Sequence, residues 1–171
     1  MNRTTNRFRL SLAALLGALV LSMPPAAQAF GRGETSVALS LGSGQQLGRD
    51  YTVVNGRYGY FFVNEFEASV AFETWRGNSP DLYKIIPELR YVYSAARPLK
   101  PYAALFVSRT FYSSSVPDHN SFGAKAGAYY SLNANAHVGF GLVYERLESC
   151  DAAIYRDCQR TYPEVTLGFT F

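Results

Sequence analysis

Long apolar runs are missing from this sequence. No stretch of 18 or more apolar residues occurs in its 171 positions, which excludes a membrane-spanning helix. Tryptophan is almost absent, at one residue, and cysteine is limited to two. Proline is sparse and charge is ordinary, at 8 residues and 17%. The chain is nevertheless 48% apolar and holds 13 Tyr and 12 Phe, too apolar and aromatic for a disordered polypeptide. The length fits one domain, and the Tyr/Phe-rich mix leans towards β-structure.

The first 29 residues lack acidic side chains altogether. Arg3, Arg7 and Arg9 precede an apolar stretch from Leu10 to Leu21, and Pro24, Pro25 and Ala27-Gln28-Ala29 follow. A basic start, a short apolar middle and a small-x-small site form the pattern of a cleavable secretory signal peptide, residues 1–29. The stretch is too brief for the rival reading, a membrane anchor. Cleavage after Ala29 leaves a single domain, residues 30–171. Three of the 16 basic residues and none of the 13 acidic ones lie in the leader. The mature chain is therefore neutral, and the basic pI is no argument for nucleic-acid binding.

Export bears on the cysteines. Cys150 and Cys158 flank a polar segment, and an oxidising compartment favours a disulfide between them. A metal site would need further ligands, and neither His119 nor His137 is near in sequence. No cofactor is expected.

Period-2 alternation runs through almost the whole mature chain. Val165, Leu167, Phe169 and Phe171 share one face; Glu164, Thr166, Gly168 and Thr170 share the other. Val37, Leu39 and Leu41 oppose Ser36, Ala38 and Ser40, and Phe66, Ala68, Val70 and Phe72 oppose Glu67, Ser69, Ala71 and Glu73. Eight such strands are expected. The fifth, about Tyr102 to Tyr112, is ambiguous, and Arg109 is assigned to the interior. Short turns at Val63–Glu65, Ala95–Pro98 and Asn133–Asn135 alternate with longer polar loops at Gly42–Asp50, Arg76–Asp81, Ser113–Asn120 and Glu148–Arg160. That alternation suits an outer-membrane barrel with periplasmic termini.

A lipocalin-like soluble barrel would turn its greasy face inward around a pocket. A membrane barrel is inverted, because lipid is its solvent. The polar face here mixes small residues with charges of both signs, as a narrow lumen requires. The expected interior network comprises Arg57, Glu67, Glu73, Glu88, Arg90, Arg109, Lys125, Glu145 and Glu164. Phe62, Tyr91, Tyr93, Tyr130 and Phe171 fall on the greasy face beside the short turns, as a lipid-facing aromatic girdle would. The reading is all-β: an eight-stranded antiparallel up-and-down transmembrane β-barrel. Eight strands leave no wide aqueous channel, so a general porin is not expected. A narrow ion-conducting pore remains the alternative. Pro87 and Pro163, each followed by Glu and an apolar residue, should break the ladder locally or sit at bulges.

Three stretches resemble the small OmpA/OmpX-type outer-membrane barrels. They are Arg57-Tyr58-Gly59-Tyr60-Phe61-Phe62-Val63-Asn64-Glu65-Phe66-Glu67-Ala68, Leu99-Lys100-Pro101-Tyr102, and Phe122-Gly123-Ala124-Lys125-Ala126-Gly127-Ala128-Tyr129-Tyr130. The alternating strand ending at Phe171 also resembles the C-terminal signal read by the barrel-insertion machinery. The resemblance implies a monomer in the bacterial outer membrane, in contact with lipid and lipopolysaccharide. It implies architecture, not activity. The peptidoglycan-binding domain of larger relatives is not expected here. A rival of similar size, the lipid A 3-O-deacylase barrels, uses a His-x-Ser-Asn motif late in the chain; the matching place reads Tyr144-Glu145-Arg146-Leu147, without nucleophile or base. His119-Asn120-Ser121 lies outside that position, and His137 opens the seventh strand. No catalysis is expected. The loops Ser113–Asn120 and Glu148–Arg160 are the candidates for binding an extracellular ligand.

Overall fold

The computed structural model describes residues 30–46, 48–77, 79–113, 117–148, 150 and 158–171. The expected signal segment, 1–29, lies outside them. Eight strands follow in order: β1 (Thr35–Gln46), β2 (Arg49–Val63), β3 (Phe66–Arg76), β4 (Leu82–Val92), β5 (Leu99–Tyr112), β6 (His119–Ser131), β7 (Ala136–Leu147) and β8 (Gln159–Thr170). Each pairs antiparallel with the next, and β1 pairs with β8, so the sheet is a closed barrel. The seam sets Val37 opposite Phe169, Leu39 opposite Leu167 and Leu41 opposite Val165. Thr35 and Phe171 exchange both backbone hydrogen bonds, at 2.8 and 2.9 Å, where the seam ends. No strand edge is left open, the condition for a sheet to stand in hydrocarbon.

The faces point as the inverted arrangement requires. Leu105 is 68% exposed and Leu142 57% exposed, and Phe72, Phe140, Leu167 and Phe171 are also on the outside. Glu145 is wholly buried and Lys84 is 2% exposed. A water-soluble barrel would show the opposite distribution. All five aromatics assigned to the girdle lie on the outer surface at the short-turn end, with Tyr91 half-buried against Phe66, 4.9 Å between ring centroids.

Three expectations need correction or refinement. Arg109 points outward, its side chain 50% exposed. The inward positions of β5 are Tyr102, Ala104, Phe106, Ser108 and Thr110, so parity excludes Arg109 from the lumen. Near the barrel rim a long cationic side chain reaches headgroups without crossing hydrocarbon. The segment Gly42–Asp50 is no loop either. β1 and β2 continue to Gln46 and Arg49, and Gly48 takes a positive φ of 70° in the tight turn. Small residues permit this extension: a Cβ on Gly44 would stand 2.6 Å from the Trp75 ring. Pro87 interrupts the β4–β5 ladder without a bulge. Pairing lapses at Ile86 and Pro87 and resumes in the same register, Ile85 opposite Arg109 and Glu88 opposite Phe106. Pro163 pairs with Leu142 of β7, while the β1 side ends at Glu164, so its missing N–H falls where that ladder stops.

The short turns are fixed by side chains. Asn133 Oδ1 accepts from the backbone N–H groups of Asn135 (2.9 Å) and Ala136 (2.7 Å), an Asx turn. Glu65 adopts a left-handed φ of 70°, and its carboxylate accepts from Ser94 N (2.8 Å), Ser94 Oγ (2.5 Å) and Tyr91 Oη (3.0 Å). The two Ser94 bonds hold the Glu65 carboxyl below its ordinary pKa. A depressed carboxylate stabilises the fold above its unfolded pKa and loses that contribution as pH falls through the folded value. Amide protection at Ser94 should therefore be full at neutral pH and decline below about pH 4. Glu65→Ala should show the low protection at every pH; hydrogen exchange in reconstituted barrel measures both.

Candidate functional site

The register of the strands brings the interior charges together. Glu67 and Glu73 of β3 stand directly opposite Arg90 and Lys84 of β4, and Glu145 of β7 stands opposite Arg160 of β8. Cross-strand neighbours of opposite charge attract on one face of a sheet. The remaining partners meet across the narrow lumen.

Two layers result. Towards the short turns, Arg57 lies 3.8 Å from Glu67 and 3.6 Å from Glu88. Arg90 lies 3.9 Å from Glu67 and pairs closely with Glu88. Lys125 reaches Glu88 at 3.1 Å and Glu164 at 3.5 Å. Towards the long loops, Lys84 contacts Glu73 at 3.3 Å and Glu145 at 2.8 Å, and Arg160 Nη2 contacts Glu145 at 2.9 Å. The first layer thus holds three cations and three carboxylates, and the second two of each. Among the described residues, both layers are electroneutral and no ion pair joins one to the other. Neutrality within each layer matters because an uncompensated charge in a low-dielectric interior is expensive.

Neutral donors satisfy further carboxylate oxygens. Glu73 accepts from Trp75 Nε1 at 2.6 Å and Asn55 Nδ2 at 3.3 Å. Ser108 and Ser121 both donate to Glu145, and Tyr102 Oη donates to Glu164 at 3.3 Å. Ser36 donates to Glu67, and Arg90 donates to Tyr129 Oη.

Aromatic clusters border the layers. Tyr51, Trp75, Phe106 and Tyr162 belong to a buried group at the loop end; Phe30, Phe61, Tyr102 and Tyr129 form one at the short-turn end. Lys84 and Arg160 approach the Trp75 ring at 4.6 and 4.7 Å, and Arg90 approaches the Tyr102 ring at 4.8 Å, as cation–π contacts do. Gly59 supplies room: a Cβ there would stand 2.1 Å from Glu67 Oε1 and 2.7 Å from Ser36 Oγ.

The network thus contains Arg57, Glu67, Glu73, Glu88, Arg90, Lys125, Glu145 and Glu164 from the sequence expectation, without Arg109. It also contains Lys84 and Arg160. Lys84 lies on the polar face of its strand, in phase with Glu88 and Arg90. Arg160 falls two residues before Tyr162 and four before Glu164, so carrying the β8 alternation back into the expected loop would have found it.

The two histidines stand at opposite ends of the barrel. His119 Nδ1 lies 3.2 Å from Tyr112 Oη, while His137 packs against Tyr129 and Phe30 at the other end, 4.7 and 5.1 Å between centroids. Among the described residues, no group of three or more His, Cys, Asp or Glu side chains could hold a metal ion. Cys150 and Cys158 are joined by a disulfide, with Cα atoms 5.5 Å apart.

No family model matches the chain, and no curated protein matches it. Solved structures do. The N-terminal β-barrel domain of Pseudomonas aeruginosa OprF aligns with a TM-score of 0.62 at 13% identity, covering 82% of this chain and 99% of that one. Neisserial surface protein A aligns at 0.56 and 18%, covering 80% and 94%. Ail, the attachment invasion locus protein of Yersinia pestis, aligns at 0.53 and 16%, covering 82% and 99%. The fold is that of a small outer-membrane β-barrel. Identities this low carry the architecture and nothing finer.

The layers make a quantitative prediction. Lys84→Met leaves Glu73 without its cation and Glu145 with Arg160 alone, and should destabilise the barrel by about 3–5 kcal/mol. Adding Glu73→Gln restores the charge balance and should recover most of that loss. Urea unfolding of the two variants in lipid vesicles measures both; equal stability of single and double variants would contradict coupling within the layer.

Proposed function

We propose that this protein is an integral barrel of the bacterial outer membrane that serves a structural and surface-presenting role, with its lumen plugged by ion pairs and without catalysis. The observation that carries the reading is the pairing of an apolar, exposed jacket with two neutral, buried charge layers inside a closed eight-stranded sheet. Residues 1–29 supply the export signal, and the strand ending in Val165, Leu167, Phe169 and Phe171 is what the insertion machinery reads. The barrel functions as a monomer, surrounded by lipid and lipopolysaccharide.

The geometry of the layers supports the plug. Salt bridges span the lumen between β4 and β6 and between β6 and β8, and both ends carry packed aromatic rings. What supports a role without catalysis is how the polar groups are engaged. Glu145 is held by Lys84, Arg160, Ser108 and Ser121, so those hydroxyls face a carboxylate locked in ion pairs, while His119 turns to Tyr112. Acyl transfer needs a free base beside its nucleophile.

What the barrel offers outward is its loop end, where the Cys150–Cys158 disulfide ties one connection and Asp118, near Arg109, borders another. Ligand contact is assigned to these loops.

Three measurements test the reading. In planar bilayers the wild-type barrel should show no porin-sized conductance, whereas steady large openings would refute the plug. Purified protein incubated with lipopolysaccharide should release no fatty acid. Exchanging residues 113–118 and 148–158 for short Gly/Ser turns should abolish adhesion of expressing cells to host matrix while leaving folding intact. Unchanged adhesion would remove the loop assignment.

A further inference from the structure

The outer wall carries a groove that neither the lumen nor the loops explain. It has a volume of about 410 Å³ and is lined by the outward residues Phe72, Thr74 and Arg76 of β3, Tyr83 and Ile85 of β4, and Phe111 of β5, with the inward Glu73 and Lys84 between them. Its walls are mostly apolar, yet Arg76 stands at its rim. Arg109 flanks the other side: it lies directly opposite Ile85 in the β4–β5 ladder, with its guanidinium 5.9 Å from the Phe111 ring.

The height of these arginines follows from the strands. Arg76, Arg109 and Arg146 are each the tenth residue after the first of β3, β5 and β7, which start at Phe66, Leu99 and Ala136 beside the short turns. All three are exposed. At about 3.3 Å per residue and a tilt of about 40°, ten residues climb roughly 25 Å, the height of the apolar band of such barrels. The arginines therefore stand where hydrocarbon gives way to headgroups in the outer leaflet, and the groove straddles that level, with Phe72 and Ile85 on its hydrocarbon side and Phe111 towards the loops.

We infer that this groove is a binding site for one phosphorylated glycolipid of the outer leaflet, a lipopolysaccharide molecule. Its acyl chain fills the space between Phe72, Tyr83, Ile85 and Phe111, and Arg76 and Arg109 hold a phosphate at the rim. The inference rests on the reading of the exterior as lipid-facing. Charge complementarity selects the occupant: two guanidinium groups flanking one apolar groove suit a ligand whose phosphate adjoins its chains, and Arg–phosphate pairs are charge-assisted and directional. Among the described residues, Arg76 has no carboxylate within ion-pair distance; its Nε donates weakly to Thr74 Oγ1 at 3.4 Å. Arg109 reaches Asp118 at 3.8 Å and Asn120 Oδ1 at 3.2 Å. That ion pair is half-exposed, and such pairs yield readily to a stronger anion.

The test uses the mature barrel in phosphatidylcholine nanodiscs, titrated with diphosphoryl lipid A and with its dephosphorylated form, and read by native mass spectrometry. Wild type should prefer the phosphorylated form, and Arg76→Gln/Arg109→Gln should weaken its binding by about tenfold or more, the scale of losing charge-assisted bonds. Arg97→Gln, at the opposite end, should bind as wild type does. Ile85→Trp fills the groove and should also weaken binding, with heat-modifiable migration reporting that each variant is folded. Equal affinity of wild type and the double arginine variant, or of wild type for both lipid forms, overturns the phosphate site. Full affinity in folded Ile85→Trp overturns the acyl groove. Failure of the wild type to enter nanodiscs would instead contradict the membrane reading itself, a separable outcome.

Discussion

The pairing of β1 with β8 is the constraint on which the rest of the structure depends. A backbone N–H or C=O left open in hydrocarbon has no water to turn to, so a sheet in lipid must close on itself. Closure with eight strands fixes a narrow lumen with room only for side chains. Once Val37, Leu39 and Leu41 face lipid across from Phe169, Leu167 and Val165, the period of two sends every intervening residue inward. The polar half of each strand is then committed to one confined space, and what can live there is limited by volume and by charge.

The interior meets both limits by division into layers. Charge balances within each group, so neither layer leaves a net charge in the interior. Buried ion pairs seldom stabilise a fold more than well-packed apolar residues would. Their contribution here is specificity of register. A slip of one residue along any seam would turn Glu67, Lys84 or Glu145 into lipid, at about 2–4 kcal/mol for a mid-bilayer cation. The charges thus penalise wrong pairings more than they reward the right one. The aromatic clusters at the two ends complete the packing and shield the charges from water.

The architecture was legible in the sequence because the alternation is long and regular. Strands such as Phe66–Arg76 and Gln159–Thr170 show which face is apolar without reference to any partner. Where alternation falters, reading it fails. Arg109 follows Leu105 and Val107 on one face, and a charge in that position looks like a lumen residue until its height at the rim is known. The segment from Gly42 to Asp50 resembles a loop in composition, yet Gly42, Ser43 and Gly44 are strand residues, and Gly44 leaves space for Trp75. The interior aromatics Tyr102 and Tyr162 are hard to read because large rings on both faces of a strand blur the contrast between them, whereas Tyr129 alternates with Lys125 and Gly127 on the polar face. Pairing partners such as Lys125 with Glu88 depend on distances across the lumen, which strand periodicity does not encode.

The central claim is that hydrocarbon surrounds the barrel and the ionised groups are sealed within. Single nitroxide labels report it most directly, placed at Leu105 and Leu142 on the outer wall of the protein reconstituted in lipid bilayers, with Gly33 beyond the short-turn end of β1 as the aqueous reference. Power-saturation EPR should find the two wall labels accessible to oxygen and shielded from a water-soluble nickel chelate, with the reverse at position 33. Wall labels open to the nickel chelate and poorly accessible to oxygen would contradict the account.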